Sequence, residues 1–448
     1  MKLFENLIDY SFVSTFDIGL LRENLVIPIK NNGIYIKCFT CEESNLNNLN
    51  FSSIIEEVFL SKNEIEFFLS DIDTRISFFN YSEELVKIAD VNPILVKEFF
   101  SKFLNKALVL RSSDIHFETL KESMSIRFRI DGELKLFYLF NKSFFSILSS
   151  YIKMLSKLDV TIIRNPQDGR FSFNNMDFRV STMPTINGES IVIRVLDNLD
   201  VAKDFSSLGF SSHILKDLKN ILTLKEGLVL ITGPTGSGKS TTLYSIIKEL
   251  NSEDKKIITV EDPVEYKIEQ VQQVNVNESL NLDFQTILRN ILRQDPDVIL
   301  IGEIRDSYSL RIALQASLTG HLVLASIHAN SSIDTVSRLL DLNADNYLLA
   351  STLKYIISQR LILKLCEYCK GTTCEKCNYK GFYGRTNIAE SLKIDEAIKK
   401  ILVEKKSTIH IKEYLENKNY KTILDDGLAK VSLGLSTEKE LFKVVNLQ

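Results

Sequence analysis

Apolar and polar positions follow three different rhythms along the chain. In residues 1–95 the apolar residues form short, irregular clusters among Asn and Glu. There Ile54–Leu60 and Glu83–Ile88 read as helical, and Gly33–Phe39 reads as a strand. Asn92–Leu108 has helical periodicity. Strict alternation then begins with Ser125-Ile-Arg-Phe-Arg-Ile130, and Asp131-Gly132 supplies a hairpin turn before Glu133–Phe140. Phe171–Val180 reads as a second hairpin turning at Asn174-Asn175, and Glu189–Leu196 as a further β run. Residues 96–198 are therefore expected to form a separate α+β domain, and the polar stretch Asp197–Ser207 a hinge. From about Leu208, β-rich runs (Leu228–Thr232, Lys256–Glu261, Asp297–Ile301, His321–Ile327) alternate with helical segments. That alternation predicts an α/β fold, a parallel sheet with helices on both faces and loops of interest outside the carboxyl ends of its strands. Residues 391–448 read as helical throughout.

The run Gly227–Thr232 leads directly into Gly233, Pro234, Thr235, Gly236, Ser237, Gly238, Lys239, Ser240 and Thr241, which fit G-x-x-x-x-G-K-[ST]. Glycines let the backbone turn so that N–H groups point inward at a phosphate, and the helix that starts there favours the same anion. Lys239 then reaches the β- and γ-phosphates, and the Ser240 hydroxyl ligates Mg²⁺. Such a loop needs a carboxylate beside it. Asp297-Val-Ile-Leu-Ile-Gly-Glu303-Ile-Arg305-Asp306 offers Glu303 at the carboxyl end of an apolar strand. Glu261, Asp262 and Glu265 follow another strand, and three acids without bases point to a cation or positioned water. A fourth strand is bracketed by His321 and His328, and an imidazole at the second position can donate to a γ-phosphate.

Composition narrows this only modestly. The 448 residues suffice for about three domains of ~150 residues. With 44% hydrophobic and 25% charged residues the chain is ordinary for a globular protein. The net charge of −4 and the lack of a basic block speak against direct nucleic-acid binding. No run approaches ~18 apolar residues, so no membrane span is expected. The first residues, Met-Lys-Leu-Phe-Glu-Asn-Leu-Ile-Asp, place acids where a signal peptide has its apolar centre, which predicts a cytoplasmic protein. Cys366, Cys369, Cys374 and Cys377 present two C-x-x-C pairs, the usual way to offer four thiolates to a tetrahedral Zn²⁺. Cys38 and Cys41 form one pair only and read as ordinary thiols.

Together these segments resemble the secretion ATPase superfamily that drives type II secretion, type IV pilus assembly and competence pseudopili, over roughly residues 100–448. Gly233–Ser240 is similar to its Walker A, Ile258–Tyr266 to its aspartate box, Ile291–Asp306 to its Walker B and Thr319–Asn330 to its histidine box. Ser113–Glu118, Arg127–Gly132, Pro166–Arg170 and Arg179–Thr185 resemble its second N-terminal domain, and Asp426-Gly-Leu428 matches near the C-terminus. The resemblance implies a RecA-like P-loop domain at 208–365. Before it come a divergent docking region at 1–95, the α+β domain at 96–198 and a linker at 199–207. After it come a zinc element at 366–390 and C-terminal helices at 391–448. It further implies ATP, Mg²⁺ and Zn²⁺ as cofactors, and two arginines, Arg179 and Arg194, that reach the γ-phosphate. Arg289, Arg293, Arg305 and Arg338 match arginines near the site or the subunit contact. The implied assembly is a homohexamer, peripheral to the inner membrane through a platform protein and a cytoplasmic docking protein. The insert Lys370–Thr373 between the cysteine pairs is shorter than in typical secretion members. Two rival readings are a pilus retraction ATPase, against which the four cysteines argue, and a nucleotide-binding ring component with little turnover.

Overall fold

The computed structural model describes residues 8–49, 51, 53–87, 93–196, 204–265, 267–277, 280 and 282–445. The chain divides into two compact units, Met1–Asn198 with Cys366–Tyr383, and Leu199–Leu365 with Gly384–Gln448.

The first unit opens with a three-stranded sheet, β1 (Ile27–Asn31), β2 (Tyr35–Thr40) and β3 (Ile54–Phe59). The helix expected at Ile54–Leu60 is thus a strand. Its apolar positions 54, 55, 58 and 59 suit one helical face, but the β-branched Ile54, Ile55 and Val58 favour the extended form, and β3 pairs in parallel with β2. Cys38 and Cys41 are buried in this subdomain's core, and burial, reinforced by Glu57, pushes the Cys38 thiol up to about 12. Helices follow at Ile72–Lys87 and Pro93–Val109; Ile88 and Asn92, expected to be helical, lie outside the described residues.

Next come β4 (Ser112–Thr119), β5 (Ser123–Ile130), β6 (Glu133–Asn141), β7 (Gln167–Phe173), β8 (Met176–Thr185) and β9 (Gly188–Leu196), in the sheet order β6-β5-β4-β9-β8-β7. Each neighbouring pair in this sheet is antiparallel. Both predicted two-residue turns are present. Asp131 and Gly132 have φ of 54° and 91°, and Asn174 and Asn175 have 51° and 60°, the positive values that match the twist of a hairpin. One face of the sheet packs an aromatic core (Phe99, Phe103, Phe117, Phe128, Phe137) against helices Pro93–Val109 and Lys142–Leu155. The other face carries arginines, the one-sided pattern usual for antiparallel sheets. Arg75, only 2% exposed, ties the Ile72–Lys87 helix to this core: it lies 4.2 Å over the Phe68 ring and donates to the Phe137 carbonyl.

The second unit is built on β10 (Gly227–Thr232), β11 (Ile257–Glu261), β12 (Gln272–Asn275), β13 (Val298–Ile301), β14 (Leu322–Ile327), β15 (Leu353–Leu365) and β16 (Phe382–Lys393). The sheet order is β12-β11-β13-β14-β10-β15-β16, and β12 through β15 pair in parallel. Every residue of β10, β13 and β14 is buried, as expected for strands covered on both faces. One face packs against helices Phe284–Ile291, Ser307–Leu318 and Ser332–Asp341, the other against Ser212–Leu222 and Lys239–Leu250. β16 continues to Lys393, so the expected all-helical stretch from 391 begins in strand; helices then run from Glu396 to Val444.

Of the predicted hinge, residues 197–203 lie outside the described residues, and Phe205–Leu208 form a 3-10 turn. The segment after it is anchored on a buried polar node. Asn387 Nδ2 donates to the Leu208 carbonyl at 3.0 Å, and Ser211 Oγ donates to Asp426. Asp426 also accepts from Ala389 N–H at 2.9 Å and pairs with Lys430 at 3.1 Å, both side chains being nearly sealed from solvent. Gly427 is needed beside them, because a Cβ there would lie 2.3 Å from Leu441 Cδ1.

Candidate functional site

Parallel registry alone gathers the predicted loops. Thr232 pairs with Ile327, Ile301 with Ala325, and Val260 with Ile301. The carboxyl ends of β10, β11, β13 and β14 therefore share one edge, and the loops beginning at Gly233, Asp262, Gly302 and His328 emerge there.

The Gly-rich loop is shaped by its sequence. Gly233, Gly236 and Gly238 have φ of 148°, 77° and 88°, values that L side chains rarely adopt. Helix Lys239–Leu250 starts straight after Gly238. A Cβ on Gly233 would lie 2.4 Å from the Gln359 carbonyl, whereas one on Gly236 would meet open space. Ser237 Oγ is buried without a hydrogen-bond partner among the described residues. A tight turn with an orphaned hydroxyl and an open mouth fits an anion. Lys239 Nζ donates to the carbonyls of Gly233 at 2.8 Å and Pro234 at 3.1 Å, so it lies folded along its own loop. Burial holds it below the ordinary lysine value, with Glu303 pulling the other way. Ser240 is exposed at the helix start.

The acids and the histidine form a second cluster. Glu303 Oε1 lies 3.3 Å from His328 Nε2, and its Oε2 accepts from Arg305 Nε at 2.9 Å. Arg305 Nη1 reaches Asp262 Oδ2 at 3.4 Å. Four residues from three loops are thus linked in one chain of charges. Glu261 is turned inward: it accepts from Thr259 Oγ1 at 2.6 Å, from Gln273 Nε2 at 3.4 Å and from the Tyr244 hydroxyl. Burial raises its carboxyl above the usual range. Asp262 is the solvent-facing acid of that pair. Glu265 is linked to the same hub through its backbone N–H, which donates to Tyr244 Oη at 3.3 Å. His321 instead closes the turn after helix Ser307–Leu318, contacting the Ala316 carbonyl at 2.9 Å. Asp306 caps that helix through Ser309 N–H at 2.7 Å.

Sequence reasoning missed Gln359 and Tyr244. Gln359, fully buried on β15, donates to the Ser237 carbonyl at 2.8 Å and accepts from Thr242 Oγ1 at 2.9 Å, tying the second half of the phosphate loop to the helix that follows it. The available signal was a long polar side chain just beyond the apolar run Tyr355–Ile357, where burial obliges it to find partners.

Arg179 and Arg194 lie in the first unit, directly opposite each other on β8 and β9. Cys366, Cys369, Cys374 and Cys377 bring their Sγ atoms within 4.8 Å of one another. The Sγ atoms of Cys366 and Cys374 lie 3.8 Å apart, those of Cys369 and Cys377 3.7 Å, and those of Cys374 and Cys377 3.6 Å. A tetrahedral ion with Zn–S bonds of ~2.3 Å needs sulfurs about 3.8 Å apart. Gly381 N–H donates to Cys377 Sγ at 3.3 Å, and a Cβ on Gly381 would lie 2.6 Å from the Gly371 carbonyl. The four-residue insert therefore closes one thiolate site.

A family model described as "Type II/IV secretion system protein" matches residues 89–443. The "Type II secretion system protein E" of Dickeya dadantii (strain 3937) is 41% identical, covering 84% of this chain and 82% of that protein. The "Type II secretion system ATPase E" of Vibrio cholerae is 38% identical over 81% of this chain and 77% of that one. Among solved structures, that of the pilus retraction motor PilT with bound ADP is similar, with a TM-score of 0.59 and 28% identity, over 78% of this chain and 97% of that one.

Proposed function

The chain belongs to the type II/IV secretion system protein family, and from that premise we propose that it is a cytoplasmic, homohexameric ATPase driving assembly of a pilus or pseudopilus. One observation carries the reading: a phosphate loop, an acidic loop, Glu303 and His328 share one edge of a parallel sheet, with Glu303 close enough to act on the Lys239 charge. In this reading Lys239 leaves its loop carbonyls for the β- and γ-phosphates. The main-chain N–H groups from Gly233 to Thr241 cradle them. Ser240 and Asp262 hold Mg²⁺, which supplies charge neutralisation when bound. Glu303, with Glu265, orients and activates the attacking water; Glu261 keeps the acidic loop in place from beneath. His328 contacts the γ-phosphate. Arg179 and Arg194 stabilise the charge that builds on the transferring group. Loss of the γ-phosphate releases these contacts, and movement about residues 199–207 becomes the mechanical output. The four cysteines hold a structural zinc.

The higher identity to type II E proteins than to the retraction motor favours assembly over retraction. Partners in this reading are an inner-membrane platform protein and a docking protein bound through residues 1–95. The test is steady-state ATP turnover by the purified protein. Lys239→Ala abolishes it; a variant that turns over at the wild-type rate overturns the reading. Metal analysis is expected to give one zinc per chain, lost in Cys374→Ser.

A further inference from the structure

Strand registry aligns five charged residues across the sheet of the first unit. Arg129 on β5 faces Asp114 on β4, Asp114 faces Arg194 on β9, Arg194 faces Arg179 on β8, and Arg179 faces Arg170 on β7. Cross-strand partners share a face, so four guanidinium groups and one carboxylate form a single row. Like charges placed directly opposite repel, and Asp114 is the only acid in the row.

Asp114 is 8% exposed, while the Arg194 side chain is 61% exposed. Arg194 Nε donates to Asp114 Oδ1 at 2.9 Å. The other oxygen lies 3.6 Å from Arg129 Nε and accepts from Ser113 Oγ at 2.9 Å. The bond to Arg194 uses Nε and not the Nη fork, which is the part of a guanidinium that grips paired phosphoryl oxygens. A buried carboxylate thus holds the base of a long, exposed side chain and, among the described residues, leaves its working end clear.

We propose that Asp114 is a positioning residue: it fixes the Arg194 guanidinium through Nε so that the Nη pair is presented to the terminal phosphoryl group of the nucleotide. The inference rests on the role given to Arg194 above. It predicts that Asp114 matters to turnover only while Arg194 is present. An ion pair that merely stabilises the sheet has no such dependence.

The experiment is a double-mutant cycle on the full-length protein, reading kcat, KM for ATP and melting temperature for Asp114→Asn, Arg194→Ala and the pair. Asp114→Asn is expected to lower kcat about tenfold with KM within threefold, and to add nothing in the Arg194→Ala background. An equal slowing in both backgrounds overturns the proposal, as does an unchanged kcat in Asp114→Asn. Ser113→Ala removes one support of the carboxylate while keeping the charge, and serves if Asp114→Asn does not fold. It is expected to give a smaller kcat loss that also vanishes in Arg194→Ala; the same loss in both backgrounds overturns the proposal. Wild-type kcat in Arg194→Ala alone refutes the arginine reading itself, an outcome distinct from additivity.

Discussion

The parallel sheet of the second unit and the antiparallel sheet of the first hold their charged residues by opposite means. On the parallel sheet the charges sit at strand ends. They are fixed by buried strands and by braces from distant sequence, such as Gln359 reaching Ser237 and Thr242 from 117 or more residues away. On the antiparallel sheet the arginines stand on the flat of an exposed face, and their directions depend on neighbours in the same row. The first arrangement is set by the core, where each fully buried Leu, Ile or Val contributes ~1.5–3 kcal/mol. The second is set by single ion pairs that water and salt weaken. The strand-end cluster is thus set by many buried contacts, the row of arginines by the few groups beside it, above all Asp114.

The largest effect expected from this contrast is at the strand-end cluster. Glu303→Gln is expected to lower kcat by about 10²–10⁴ while ATP still binds, measured by single-turnover kinetics and nucleotide titration. Binding lost in proportion to rate would make Glu303 a ground-state contact instead. Next, Arg179→Ala is expected to cost about 10²–10³ in kcat with little change in KM. A raised KM at constant kcat would make Arg179 a ground-state binding contact instead. Gln359→Leu strips partners from a buried carbonyl and a buried hydroxyl. Denaturant melts are expected to show a loss of about 1–3 kcal/mol together with weaker nucleotide affinity; unaltered affinity would show that the loop stands without its brace. The smallest effect is expected from Asp306→Ala, which removes a helix cap within the Glu303 segment. About 0.5–2 kcal/mol of stability should go, with turnover unchanged. A turnover defect there would mean that Asp306 does more than cap its helix.

What could be read directly from the chain was local. Gly233–Lys239 encodes its loop through glycine spacing, and the turns at Asp131-Gly132 and Asn174-Asn175 need only residues that accept positive φ. Glu303 and His328 could be placed because each ends an apolar strand, and parallel strands bring their ends together. The rest depends on pairing between distant segments. Ile54–Phe59 has an apolar spacing that serves a helix as well as a strand, and only the presence of β2 decides it. Glu261 looks like its neighbours Asp262 and Glu265 in the sequence; Tyr244, which no local pattern links to it, draws it inward beside Thr259 on the same strand face. The tether between Asp114 and Arg194 spans 80 residues and follows from the register of β4 on β9.

Leu208 and Ser211, near the start of the second unit, are moored to Asn387 and Asp426, close to its finish. The early and late segments of the unit are stitched together like a drawstring. A nick within Ile423–Ser432 would therefore slacken the chain entering the unit and, through Glu390, which accepts from both Ile423 N–H and Ser332 N–H, would loosen the loop that follows His328.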